Sequence, residues 1–364
     1  MEKDNYQIKR VFGLDIFRTI AIVLVVLLHS GFLLRNTVLE NFPYIDMIDG
    51  VDLFFVLSGF LIGGILLKEI NSEVKFGIRQ LKHFWGRRWL RTLPNYYLIL
   101  IVNYFIVYHG IIHEYIGGFN WKFFFFLQNF SKPFAGFFWE SWSLSVEEWF
   151  YIFSPLLLLI FLKFLKPKES FISITIIMIV FSFVYRVLSL NYAIDNFWYG
   201  ETYHKLVVMR LDSIAYGLLA AWFFYYHPYY WVKFRISSLI IGLSLVLFVA
   251  NYKVRDNTFY REVTYFSLSP IAAMLLLPFA QSIKKGKTVK IITHISKISY
   301  SMYLLNLAVA EVFRDNFPSL GGNDGLFKYI LYWVIVITGS TLLYKYFEKP
   351  IMNLRNRKQD LTGT

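Results

Sequence analysis

Ten apolar runs, each bounded by short polar stretches, order this chain: 12–34, 51–68, 92–108, 143–165, 171–190, 206–226, 236–251, 265–283, 296–314 and 326–346. A helix needs about 20 apolar residues to cross a bilayer, at about 1.5 Å per residue. The third and seventh runs are short by that measure. The pattern predicts an all-α polytopic transmembrane bundle of about ten spans. The aromatic run Trp121–Phe130 reads as interfacial or re-entrant rather than as a span.

The polar stretches carry a second pattern. Basic residues crowd every other loop: Lys68 to Arg91, then Lys163, Lys166 and Lys168, then Lys284, Lys285, Lys287 and Lys290. The alternate loops hold Glu40, Asp46 and Asp49, then Glu114 and Glu140, then Asp315 and Asp324. Lysine and arginine mark cytoplasmic loops, so both termini are expected in the cytoplasm. The expected division is a membrane domain over 1–354 and a short basic cytoplasmic tail over 355–364.

Composition agrees. The 364 residues are 57% hydrophobic and 20% aromatic, with mean hydropathy +0.48. Soluble domains do not average so apolar. The net charge of +13 falls in the basic loops, where anionic lipid accounts for it, so no nucleic-acid partner is expected. Cysteine is absent, which excludes disulfides, thiolate metal sites and a cysteine nucleophile.

The first run, GLDIFRTIAIVLVVLLHS, carries Asp15, Arg18 and His29. At about 100° per residue, positions 15, 18, 22, 25 and 29 share one stripe, while Ile20, Leu24, Leu27 and Leu28 are left for lipid or packing. Arg18 and His29 are roughly 16 Å apart along the axis. Ionisable groups inside a span cost about 2.5 kcal/mol or more and usually mark function. Given the orientation, His29, Asp52, Glu147, Glu148, Arg210 and Asp212 fall near one depth at the outer side. Such convergence resembles an active site. Local readings stand beside it. Ser145-x-x-Glu148 matches a capping box, which leaves Glu147 as the preferred acid. Arg210 and Asp212 are alternatively a local pair, Asp52 a charge favourable to a helix N-terminus, and Trp142 a belt residue. On the inner side, Arg88-x-x-Arg91 presents two guanidinium forks one turn apart, with Arg87 beside them. That arrangement suits either a phosphate-bearing ligand or anionic lipid.

Four motifs, LDIFRTIAIVLVVLLH with Arg18-x10-His29, GVDLFFVLSGFLI, Arg88-x-x-Arg91 and WSLSVEEWFY, resemble the acyltransferase-3 family of integral-membrane O-acyltransferases. RLDSIAYGLLA, ISYSMYLLN and YFEKPIMNL add to the resemblance. It implies a membrane enzyme of the bacterial plasma membrane. Such an enzyme moves an acyl group, acetyl by default, from cytoplasmic acyl-CoA to a hydroxyl of a cell-surface or lipid-linked glycan. No bound cofactor is expected; acyl-CoA is a co-substrate. The resemblance implies His29 and Arg18 as essential residues and Arg87, Arg88 and Arg91 as donor contacts. His29 is expected as general base, Glu147 or a neighbouring acid as its orienting partner, and Arg18 as a donor or oxyanion contact. Asp15, Asp52, Glu148, Arg210 and Asp212 are expected to support them, and Trp139 and Trp142 to stack on sugar rings. No metal site is expected. Asn306 departs from the family, many of whose members have histidine after YLL. Some members add a C-terminal SGNH-type domain; few residues follow Leu354, so none is expected here. Direct transfer is preferred over a relay through Ser30 or Ser143. The rival reading is a transporter or flippase for a lipid-linked glycan or small anion, but the two halves show no convincing internal repeat.

Overall fold

The computed structural model describes residues 11–40, 48–134, 136–195, 204–251, 257–284 and 289–353. Among them are ten long helices and no strand. They are α1 (Phe12–Ser30), α2 (Gly50–Ile70), α3 (Ile78–Tyr108), α4 (Ser141–Phe161), α5 (Pro167–Asp195), α6 (Val207–Tyr226), α7 (Arg235–Ala250), α8 (Tyr265–Ser282), α9 (Val289–Asn316) and α10 (Gly322–Leu343). Eight, counted with their helical extensions, are long and apolar enough to cross a membrane. Of the other two, α7 has only 16 residues, and α9 carries Lys290, His294, Lys297 and Asn306. The chain is thus an all-α, multi-pass membrane protein. The tail expected at 355–364 lies outside the described residues.

The stripe on α1 faces inward. Asp15, Ile22 and Val25 are buried, while Ile20 and Leu28 are about half exposed. That face packs along α9. Ser296 donates to Asp15 near one end (2.8 Å), and His29 meets Asn306 near the other (2.5 Å), so the two helices run parallel.

Helices α2 and α6 form the tightest crossing. A Cβ on Gly59 would lie 1.9 Å from the Ile214 carbonyl oxygen, and one on Gly217 would lie 2.2 Å from that of Val56. Farther along, Gly63 meets Ala221. Hydrocarbon offers no hydrophobic force between helices, so small residues that let backbones touch set such contacts. The contacts 59–214, 63–221 and 71–226 keep register, so α2 and α6 run parallel and begin at the same end of the bundle.

One element differs from the sequence pattern. Helix α3 starts at Ile78, fourteen residues before the apolar run, and continues through Pro94 as one 31-residue helix. The basic segment and the span are therefore one rigid rod. Its first turn is closed by Gln80, whose Oε1 accepts the Gly77 N–H at 3.1 Å. The aromatic run after α3 forms a 3-10 turn, Trp121–Phe125. Tyr96 and Tyr97 donate to the Phe123 and Phe124 carbonyls (2.8 and 2.7 Å), which ties this turn to α3.

Candidate active site

Helices α1, α2, α3, α4 and α9 line a cavity, partly open to solvent, with about 800 Å³ of free space. Arg18, Arg88, Arg91 and Glu147 line it, with Ser58, Thr92, Tyr151, Tyr300, Ser143 and Tyr303. The cavity brings together the first-helix arginine and the Arg88-x-x-Arg91 forks, which stand far apart in sequence. Neither Arg88 nor Arg91 has a carboxylate within ion-pair distance among the described residues. Two free forks one helical turn apart are a fit site for a phosphate group. Arg87 does not join them. It points to Glu69 (3.5 Å) on a partly exposed surface, because successive residues of a helix face different directions.

Glu147 belongs to this cavity rather than to His29. It accepts from Ser58 and from Tyr151, both at 2.8 Å. Glu147 does not share the level of Asp52: its partner Ser58 lies six residues farther along α2. The start of α4 at Ser141 removes the capping box. Ser145 is inside the helix and donates to the Ser141 carbonyl (3.2 Å), and Glu148 accepts from Thr92 of α3 (2.7 Å).

His29 does not line this cavity. Its Nδ1 meets Oδ1 of Asn306 at 2.5 Å, so the partner expected of Glu147 is an amide. Asn306 links His29 to the cavity wall, since its Nδ2 donates to the carbonyl of Tyr303, which lines the cavity with Ser143; the Ser143 and Tyr303 hydroxyls are 2.5 Å apart, and Tyr303 also donates to the Glu140 carbonyl at 3.1 Å. Of the two relay candidates, only Ser143 reaches the cavity. Ser30 is buried and donates to the Val26 carbonyl at 2.7 Å. Burial, with Glu114 nearby, holds the Glu140 carboxyl well above its usual range.

Arg210 and Asp212 do not pair with each other. Arg210 bonds Asp52 across the α2–α6 crossing, fully buried, with Phe55, Trp142 and Phe266 rings around its guanidinium. Asp212 takes both forks of Arg186 of α5 at 3.0 and 2.5 Å. These pairs join α2 to α6 and α5 to α6. Asp52, Arg210 and Asp212 are accordingly absent from the cavity wall, and Trp142 packs on Arg210. Trp139 lines a separate cavity with Glu114, Glu311, Arg314 and Asp315, and Lys205 lies 5.0 Å from its ring centre. Asp15 accepts from Ser296 (2.8 Å) and is absent from the cavity wall.

Two buried charges escaped the sequence reading. Arg186 is the lone charge in the run 171–190, which was signal enough. Glu348, in YFEKP, accepts from Asn95 at 3.0 Å and Ser301 at 2.7 Å, and so fastens the end of the last helix to α3 and α9. Among the described residues, no group of three or more metal-ligating side chains occurs.

A helical membrane bundle with an arginine-lined cavity and a histidine beyond it fits the comparisons with known proteins. Residues 11–345 match the acyltransferase-3 family, described as an acyltransferase domain, and the chain belongs to that family. It is 28% identical over 363 residues to a Staphylococcus aureus (strain COL) protein named "Putative O-acetyltransferase SACOL0978", covering 93% of this chain and 56% of that protein. It is 33% identical over 187 residues to the peptidoglycan O-acetyltransferase OatA of Listeria monocytogenes, covering 47% of this chain and 28% of OatA. The chain spans about half the length of the first of these relatives. No solved structure matches it.

Proposed function

We propose that the chain is a membrane O-acyltransferase of a bacterial plasma membrane. It moves an acyl group, acetyl by default, from cytoplasmic acyl-CoA to a hydroxyl of a cell-surface or lipid-linked glycan. The observation that carries this reading is the cavity that unites Arg18, Arg88, Arg91 and Glu147. The family, the O-acetyltransferase names of its relatives, and peptidoglycan in the name of one support it.

In this mechanism Arg88 and Arg91 hold the donor's phosphates, and the thioester reaches past Ser143 and Tyr303 toward His29. His29 takes the proton of the acceptor hydroxyl while that oxygen attacks the thioester carbonyl. The tetrahedral intermediate collapses, the C–S bond breaks, and the proton passes from His29 to the departing thiolate. Arg18 steadies the donor or the oxyanion. Glu147, bound to Ser58 and Tyr151, balances the charge of the arginine cavity. Trp139, in the cavity beside Glu114 and Asp315, is the better of the two sugar-stacking tryptophans, because Trp142 is occupied by Arg210.

The test is turnover by purified protein given acetyl-CoA and an acceptor glycan, read as ester formed and free CoA released together. Ester formation that is lost in His29→Ala supports the reading. Transport of the glycan without CoA release would favour the transporter instead.

A further inference from the structure

Asn306 is fully buried on α9, and each of its polar atoms has a partner. Its Nδ2 donates to the carbonyls of Met302 (2.9 Å) and Tyr303 (2.7 Å). Its main-chain carbonyl accepts from Tyr332 of α10 (3.2 Å). Rotating the amide by half a turn would press Oδ1 against two carbonyl oxygens, so the amide has one allowed orientation. In that orientation Oδ1 faces Nδ1 of His29 at 2.5 Å. An amide oxygen carries no hydrogen and only accepts. Nδ1 must therefore carry the proton, and Nε2 has no hydrogen-bond partner among the described residues.

We infer that Asn306 is a positioning residue that locks His29 in the Nδ1–H tautomer and so leaves Nε2 as the proton acceptor. This rests on the reading of His29 as general base. The other ring nitrogen's bond decides which nitrogen of a histidine is free to act. Here a neutral amide makes that choice and adds no countercharge. In the reaction Nδ1 keeps its proton and its bond to Asn306. Nε2 takes the hydroxyl proton and later returns it to the thiolate. The turn that holds the lock also holds Tyr303, which lines the arginine cavity, so the donor site and the lock on the base share one stretch of α9. A histidine at 306 would offer either a donor or an acceptor and would select neither tautomer.

The experiment is nitrogen-15 spectroscopy of histidine-labelled full-length protein, with His29 signals assigned by difference from His29→Ala. Neutral His29 is expected to carry its proton on Nδ1 in the wild type. In Asn306→Leu the Nε2–H tautomer should appear. There kcat should fall about 10²-fold, with the donor KM changed less than about 3-fold. A wild-type proton on Nε2 overturns the inference, and so does an Asn306→Leu variant with unchanged tautomer and kcat. The wild-type spectrum decides even if the variant fails to fold. Full turnover by His29→Ala beside an Nδ1–H wild type would remove the general-base reading while leaving the lock in place.

Discussion

Arg186 and Arg210 are fully buried, and each grips an aspartate. Arg88 and Arg91 line a cavity and face no carboxylate at ion-pair distance among the described residues. All four look alike as charges in a hydrophobic chain, yet their surroundings assign them different work. A buried pair commits its charges to the fold, here to holding α2, α5 and α6 together. An unpaired fork beside empty volume keeps its charge for a ligand.

The sharpest way to break this contrast is at the buried pairs. Asp212→Leu strands the Arg186 charge and should cost about 3–5 kcal/mol, whereas Arg186→Met with Asp212→Leu should recover most of it. Thermal melting in detergent checks both; equal stability of single and double variants would deny the pair its structural role. Arg88→Ala and Arg91→Ala break no ion pair and should melt close to the wild type. Each should weaken acyl-CoA binding by about 1.5–3 kcal/mol, the range for a charged hydrogen bond, read as donor affinity by titration. Lysine at either position should restore only part of this, because a point charge does not reproduce the fork.

At the α2–α6 crossing, Gly217→Val would drive a side chain into the Val56 carbonyl and should cost about 1–3 kcal/mol. The melt of that variant against Gly86→Val, where a Cβ meets nothing within 4 Å, is the test. The smallest effect is a pH dependence outside the spans. Burial raises the Glu114 carboxyl from 4.5 to about 7, against the Phe138 N–H that it accepts and with Glu311 adding repulsion. The folded protein thus holds a proton there that the unfolded chain releases at lower pH. Its contribution is present below about pH 4.5 and lost as pH rises through about 7. Glu114→Gln should flatten that part of the stability profile.

Much of the fold was legible because the bilayer demands long apolar runs, and each of the ten predicted runs falls on a helix. The inward stripe of α1 was legible for the same reason: a helix has a fixed period, and Asp15, Ile22 and Val25 follow it. The site was legible in part. Arg88 and Arg91, expected as donor contacts, and Arg18, expected as a donor or oxyanion contact, line one cavity. Glu147 and Glu148 were set at the level of Asp52 because hydropathy marks where a span begins but not which turn of a neighbouring helix it meets: Glu147 meets Ser58 of α2 and Glu148 meets Thr92 of α3. Arg87 was set beside its neighbours by sequence adjacency, whereas helix geometry turns it away.

The order of apolar runs, the charges within them and the family motifs were fixed by residue type, since hydrophobic length and helical period act locally along the chain. The partners of those charges were decided only when helices distant in sequence packed together. Asp52 meets Arg210 across 158 positions, Arg186 meets Asp212 across 26, and His29 meets Asn306 across 277. A hydrogen bond needs its two atoms within about 3 Å, and no spacing along one helix specifies that for another. Tertiary packing therefore decided which arginines are struts, which are open to a ligand, and which nitrogen of His29 is left free.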